Sequence, residues 1–157
     1  RVIQARSFSK AYGMAGNRVG HLVGPVEAIE RISRLATYIV YGACRGAQRA
    51  AHRALRGGAE WLASTRESYR AIGVETASYL GIEPPQGGTF HFFDVSGDVG
   101  PGGVAALLER CVENGLLVAP GASFGAAYSD YLRVCFTCSP PDVVRAGIET
   151  LARCLGR

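Results

Sequence analysis

Lysine is almost absent from this sequence. Of the 157 residues, sixteen are arginine and one, Lys10, is lysine. Arginine stays charged and cannot act as a nucleophile, whereas a lysine amine that loses its proton can condense with an aldehyde or ketone. Count alone favours a solvated lysine with no chemical role, since most charged side chains face water. The residues around Lys10 therefore decide between the two interpretations.

Long apolar runs are also missing. No stretch approaches the roughly eighteen residues that a membrane helix needs, and the N-terminal sequence RVIQAR lacks a signal-peptide pattern. We therefore expect a soluble, cytoplasmic protein with no membrane partner. With 48% hydrophobic and 19% charged residues, the composition is that of a globular domain with a core of its own.

Signals for metal or nucleic-acid binding are scarce. Cys135 and Cys138 form a C-x-x-C, but a predicted strand runs through them, and positions three apart on a strand point to opposite faces. We predict no metal site and no disulfide there. Four arginines share one face of a predicted helix, and this basic stripe could meet phosphates. Because no nucleic-acid motif accompanies it, we interpret the stripe as a solvated face and expect no nucleic-acid partner. The basic stripe consists of Arg45, Arg49, Arg53 and Arg56.

Hydrophobic spacing and glycine punctuation predict an α/β fold. The first half has three predicted helices and too few strands for a sheet of its own. The second half alternates strands and helices, which indicates a compact lobe with a small mixed sheet. Ser139 to Asp142 resembles a capping box before the last helix. The predicted helices are 25–37, 45–56, 59–80, one from Val104 that Gly115 ends, and one through Leu155; the predicted strands are 2–5, 21–24, 89–95, 116–119 and 131–137.

The residues around Lys10 favour chemistry. Ser7, Ser9 and Arg18 offer two hydroxyls and a guanidinium, which are good phosphate partners, and nearby glycines allow close backbone approach. The combination suits a phosphorylated aldehyde held covalently by Lys10. The glycine spacing is itself a weak signal, since it fits neither a dinucleotide fingerprint nor a P-loop.

The string SFSKAYGMAGNRVG, residues 7–20, resembles the pyridoxal-phosphate lysine signature of the fold type I aminotransferases of class I and II. In that family the pattern is S-x-S-K, then a glycine, then an arginine eight residues after the lysine. Three later segments also resemble the family: GGTF at 87–90, LVAPGASFG at 117–125, and YLRV at 131–134 with Arg133. The resemblance covers essentially this whole chain, but only the C-terminal half or less of a complete family member. The matching signature residues are Ser7, Ser9, Lys10, Gly16 and Arg18.

The resemblance implies a fold and a domain division. The fold class would be α/β, the C-terminal part of a fold type I pyridoxal-phosphate-dependent transferase with a long connecting helix and a small mixed α/β domain. Residues 1–58 would belong to the large cofactor-binding domain. Residues 59–81 would form the interdomain helix, and residues 82–157 the small C-terminal domain.

The resemblance also implies roles. Lys10 would hold pyridoxal 5'-phosphate as a Schiff base and move a proton during the reaction. Ser7, Ser9 and Arg18 would bind the cofactor phosphate, and Arg133 would bind the substrate α-carboxylate. The reaction would transfer an amino group between an amino acid and a 2-oxo acid, in a full-length enzyme expected to be a homodimer. Another pyridoxal-phosphate-dependent reaction, such as that of a lyase or cyclase, and a truncated non-catalytic remnant both stay open.

One expected feature of the family is missing from these residues. A complete member supplies, from its N-terminal part, an aspartate that pairs with the cofactor's pyridine nitrogen. No position here can be assigned to it, because the signature lysine is already the tenth residue. Since an unprotonated pyridine is a poor electron sink, we expect the 157 residues alone to be weakly active or inactive.

Overall fold

Residues 2–157, the part of the chain that the computed structural model describes, form five α-helices and five strands. They divide into two units, one ending at Thr65 and the other beginning at Arg66. Each unit has a small antiparallel sheet. The three-part division expected from the sequence, at 58 and 81, stays a prediction.

The first unit is built on a hairpin. Strand β1, Gln4–Ser7, pairs antiparallel with strand β2, Gly20–Val23, with Ser7 opposite Gly20. The sequence expectation of no sheet in this half is therefore wrong, and β1 lies two residues later than predicted. Cross-strand register decides which residues pair, and apolar content along one strand does not reveal it.

Two helices follow the hairpin, α1 at Val26–Ile39 and α2 at Arg45–Gly57. Helix α2 buries Ala47 and Ala51, which are four residues apart and so share a face. These alanines pack with Phe8 and Val19 in a small core. The basic stripe of α2 is exposed, as a solvated face would be.

Helix α3, Ala59–Leu80, has the predicted extent, and the division between the two units falls within it. Ile72, Thr76 and Leu80 are buried at intervals of four residues, which is the spacing of one helix face. Gly81 follows with a φ of +65°, so a left-handed glycine ends the helix as predicted. None of the helices among residues 2–157 combines the length and apolar character that crossing a membrane requires.

The second unit contains β3 at Phe90–Asp94, α4 at Gly103–Glu113, β4 at Ala119–Pro120, β5 at Tyr131–Cys135 and α5 at Pro141–Leu155. The strands lie in the order β3, β5, β4, and both pairings are antiparallel. The expected mixed sheet is thus wrong. Residues 121–130, which include two 3₁₀ helices, connect β4 to β5, and this is shorter than the crossover of about a dozen or more residues that parallel neighbours need.

Strand β4 and the start of α5 also differ from the predictions. Strand β4 is limited to two residues, because only Ala119 and Pro120 pair with β5. The predicted capping box is also wrong, since α5 begins after Pro140 with no side-chain cap. Pro141 stands in the first turn, where its fixed φ suits a helix and its missing N–H costs nothing.

Alternation along the strands separates two faces of this sheet. His91 and Phe93 on β3 and Leu132 and Val134 on β5 are buried, whereas the residues between them are more exposed. The buried face packs with residues of α3, α4 and α5 in one core. The opposite face carries Arg133.

His91 is the polar side chain of that buried face. The Thr76 hydroxyl donates to the Ile72 carbonyl at 2.7 Å, so its oxygen is left to accept a hydrogen bond from His91 Nε2, 2.8 Å away. This arrangement requires a proton on His91 Nε2. Burial lowers the pKa of His91.

We expect the free energy of unfolding to fall as the pH drops below about 6.5, the ordinary histidine pKa. Since the folded-state pKa of His91 is lowered, the unfolded chain binds the proton first, and acid favours unfolding by at most about 1.4 kcal/mol per pH unit. Urea denaturation followed by circular dichroism between about pH 7.5 and 5.5 measures this slope. His91→Gln keeps a donor toward Thr76 and does not titrate. A variant slope equal to that of the wild type would show that His91 is not the source.

Candidate active site

Lys10 lies exposed in a turn between β1 and β2. The Phe8 carbonyl accepts hydrogen bonds from the amides of Tyr12 at 3.2 Å and Met14 at 3.3 Å. The Phe8 side chain is buried in the core of the first unit. We call residues 8–14 the lysine turn. Backbone hydrogen bonds join Phe8, at the start of this turn, to Tyr12 and Met14 near its end, and Lys10 lies between them.

The two predicted serines lie together beside the lysine turn. Ser7 Oγ donates to Ser9 Oγ at 2.9 Å, and the Ser9 amide donates to Ser7 Oγ at 3.1 Å. This local side-chain-to-backbone bond is the kind that serine makes at turns. Because Ser7 uses its proton toward Ser9, the hydroxyl proton of Ser9 is left to be donated elsewhere. The structure thus brings two hydroxyls together immediately before Lys10.

Arg18 lies between the lysine turn and strand β2. It follows a short 3₁₀ helix, Ala15–Asn17, and adopts a left-handed φ of 50°. Its Nη1 donates to the Ala15 carbonyl at 3.1 Å, so its guanidinium is placed on its own turn rather than on either serine. A non-glycine residue in the left-handed region is uncommon and is often retained where a functional site requires it.

Arg133 lies half-buried on the central strand β5, opposite Phe92 of β3. Its Cζ atom is 4.7 Å from the ring centroid of Phe90 and 4.7 Å from that of Phe124. Phe90 belongs to β3, and Phe124 ends the 3₁₀ helix that follows β4, so the two rings come from different segments of the second unit. Cation–π contacts use the faces of a guanidinium and leave its N–H edge for an anion.

An aromatic cluster extends from Arg133 across the exposed face of this sheet. The Phe92 ring lies 5.8 Å from Phe124, 5.1 Å from Tyr128 and 5.2 Å from Tyr131, measured between centroids. Sequence reasoning missed Phe92 and Tyr128, whereas Phe124 and Tyr131 lie in segments that resemble the family. The signal was present in β3, where Phe90 and Phe92 alternate with the buried His91 and Phe93.

The C-x-x-C pair begins at the end of β5, where Cys135 lies opposite Phe90 of β3. Strand β5 ends at Cys135, so Cys138 belongs to the turn after it, and its Sγ donates to the Cys135 carbonyl at 3.4 Å. The argument from opposite strand faces therefore does not describe this pair. The five cysteines are all free. Within residues 2–157, no three His, Cys, Asp or Glu side chains lie together in a way that could hold a metal ion.

The chain shares its fold with solved aminotransferases. The solved α-aminoadipate aminotransferase of Thermus thermophilus, in complex with N-(5'-phosphopyridoxyl)-L-leucine, superposes with a TM-score of 0.87 at 24% identity, covering 99% of this chain and 42% of that one. In sequence, residues 1–151 match the family described as Aminotransferase class I and II. The chain belongs to that family.

Two relatives show the extent of the match. The LL-diaminopimelate aminotransferase of Moorella thermoacetica is 35% identical over 163 residues, which is 99% of this chain and 40% of that enzyme. The aspartate/prephenate aminotransferase of Cereibacter sphaeroides is 34% identical over 143 residues, 80% of this chain and 35% of that enzyme. The chain thus spans 35% to 40% of the length of these relatives.

These comparisons confirm the resemblance and the α/β fold class expected from the sequence. They also confirm pyridoxal phosphate as the cofactor of the family, and a structural neighbour from Clostridium difficile was solved with it bound. The roles assigned to individual residues stay predictions. These residues are Ser7, Ser9, Lys10, Arg18 and Arg133.

Gly20 and Gly16 offer a matched test of how the lysine turn is held. A Cβ at Gly20 would lie 2.6 Å from the Arg6 carbonyl oxygen, whereas a Cβ at Gly16 would meet nothing within 4 Å. We expect Gly20→Ala to lower the free energy of unfolding by about 1–3 kcal/mol by forcing β1 from β2. Gly16→Ala should change it by less than about 0.5–1 kcal/mol. Urea unfolding followed by fluorescence of Trp61, the single tryptophan, measures both. Equal losses would contradict the close approach of the strands.

Proposed function

We propose that the protein acts as a pyridoxal-phosphate-dependent aminotransferase, which transfers an amino group between an amino acid and a 2-oxo acid. The observation that carries this proposal is the position of Lys10. Lys10 is the only lysine of the chain, and it is exposed in a turn whose backbone is hydrogen-bonded to a buried residue. It directly follows two hydroxyls that are bonded to each other, and the chain belongs to the class I and II family. Its neighbours supply the polar groups that a phosphorylated aldehyde needs.

The described residues fit the cofactor. When bound, pyridoxal phosphate supplies an aromatic ring that takes up electrons from the substrate bond that breaks. The Lys10 amine would hold it covalently at its aldehyde carbon. The Ser9 hydroxyl can donate to a phosphate oxygen, since the proton of Ser7 is already directed to Ser9. Arg18 uses Nη1 on the Ala15 carbonyl, and its other N–H groups suit a phosphate.

Lys10 would also serve as the base that moves a proton. With the substrate bound, the Lys10 amine would be available beside the reacting atoms. It would then carry the proton between the substrate Cα and the cofactor C4′, as a positioned general base does. The fixed ends of the lysine turn limit where that amine can reach.

We further propose that Arg133 binds the α-carboxylate of the substrate. A guanidinium offers two parallel N–H groups that match the two oxygens of a carboxylate. The rings of Phe90 and Phe124, each 4.7 Å from Cζ, support this role because they restrain the guanidinium plane. An arginine that is already ordered loses less side-chain entropy when it binds an anion.

The thiols support a cytoplasmic location. All five cysteines are free, which is typical of a reducing compartment. Cys111 of α4 is buried, and burial together with the neighbouring Cys154 raises the pKa of its thiol to about 11. A thiol of that kind packs as a small apolar side chain and is poorly reactive.

We also propose that the enzyme is a homodimer that uses an apolar tip at the end of α1. The apolar tip is Tyr38-Ile39-Val40-Tyr41; Tyr38 is 89% and Tyr41 90% exposed. No charged residue occurs from Thr37 to Cys44. Contiguous exposed apolar groups mark interaction sites, and a two-fold axis would place identical tips against each other.

The covalent role of Lys10 can be tested by trapping. We expect borohydride reduction of the chain with pyridoxal phosphate to leave a pyridoxyl group on Lys10, located by peptide mass spectrometry. Lys10→Arg should abolish the label. The chain has no other lysine, so Arg6→Lys in the Lys10→Arg background is a matched control that places one exposed amine four residues away. Equal labelling at position 6 would contradict a site at Lys10, and so would label confined to the N-terminal amine.

The apolar tip can be tested by sedimentation. Tyr38→Ser with Tyr41→Asn should raise the dimer dissociation constant at least about tenfold, which is about 1.4 kcal/mol. Asparagine is chosen because Tyr41 has a left-handed φ of 59°, which asparagine tolerates. Tyr79→Ser removes an exposed tyrosine from α3 and should leave the constant unchanged. A wild-type chain that stays monomeric at every concentration would overturn the proposal.

A further inference from the structure

Tyr12, which belongs to the lysine turn, stacks on Trp61. Their ring centroids are 6.4 Å apart and their planes differ by 14°, within the range of favourable aromatic pairs. Tyr12 lies two residues after Lys10, and Trp61 lies near the start of α3. We infer that Trp61 is a positioning residue for Lys10, and this inference rests on the function of Lys10 proposed above.

Tyr12 is held on several sides. Its amide donates to the Phe8 carbonyl at 3.2 Å, and its ring lies 5.5 Å from that of Phe8. A Cβ at Gly58 would stand 3.1 Å from Tyr12 Cε1 and 2.5 Å from the Ala54 carbonyl oxygen. Gly58 therefore leaves the space that the tyrosine ring occupies at the junction of α2 and α3. The stack on Trp61 is a further contact of the Tyr12 ring.

Trp61 also lies near Gly13, the residue that follows Tyr12. Gly13 has a φ of +62°, and a Cβ on it would lie 3.6 Å from Trp61 Cη2 and 3.8 Å from Cζ2. The Gly13 amide donates to the Lys10 carbonyl at 3.5 Å. The indole thus stacks on Tyr12 and lies within van der Waals reach of a Cβ placed on Gly13, whose amide is hydrogen-bonded to the lysine backbone.

This support matters because the core below the turn is small. The buried residues there number four, Phe8, Val19, Ala47 and Ala51, and two of them are alanines. A reactive side chain needs its backbone fixed to within about half an ångström of the productive position. Tyr12 and Trp61 add aromatic contact area where the alanines supply little. Losing one aromatic stack corresponds to a change of about threefold to tenfold in the population of the ordered turn.

Two readouts test the inference. In the first, hydrogen exchange of a peptide containing the amides of Tyr12 and Met14 should speed up about threefold to tenfold in Trp61→Leu. The second is the rate at which borohydride traps pyridoxyl on Lys10, which should fall by a similar factor. Trp61→Phe keeps an aromatic ring and should restore both toward wild type. Leu55→Ala removes an exposed apolar side chain of α2 and should change neither.

The outcomes distinguish the positioning role of Trp61 from the covalent role of Lys10. Unchanged exchange of the turn in Trp61→Leu overturns the inference, and so does faster exchange with an unchanged trapping rate. If Trp61→Leu opens the whole first unit, Tyr12→Leu removes the same stack while retaining the indole, and its trapping rate decides. If wild-type Lys10 takes up no label, the proposed function fails, while the exchange result still decides whether Trp61 holds the turn.

Discussion

The arrangement around Lys10 depends on one buried residue, Phe8. Its ring fills the core of the first unit, its amide donates to the Val19 carbonyl at 3.4 Å, and its carbonyl accepts two amides from the far side of the turn. A buried backbone carbonyl needs such partners, because leaving it unpaired away from water is costly. The polar residues beside Phe8, Ser7 and Ser9, are consequently held toward the same end of β1 as Lys10.

In the second unit, buried neighbours in the chain likewise fix the position of Arg133. Leu132 and Val134, on either side of it in β5, are both buried. Since side chains alternate along a strand, anchoring these two on the core face fixes the face to which Arg133 belongs. Aromatic rings from the flanking segments then restrain the guanidinium. In each unit a charged residue obtains its position from buried apolar neighbours in the chain.

Local signals predicted the helices better than the strands. The spacing of Ile72, Thr76 and Leu80 predicted α3 to its last residue, since a helix is stabilised by contacts three and four residues apart. Strand β4 and the register of β1 against β2 depend on pairing with distant residues. The start of α5 after Pro140 was missed for a different reason, because a helix can begin on a proline without a side-chain cap.

The sequence by itself determined the family and predicted the chemistry: a single lysine, two serines before it and an arginine eight residues after it lie within one short segment, so their pattern can be read without a fold. Tertiary structure alone decided what supports these residues. The stack of Trp61 on Tyr12, the rings of Phe90 and Phe124 beside Arg133, and the close approach that requires Gly20 all join residues far apart in the chain. Such contacts leave no local periodicity, because packing between elements sets them.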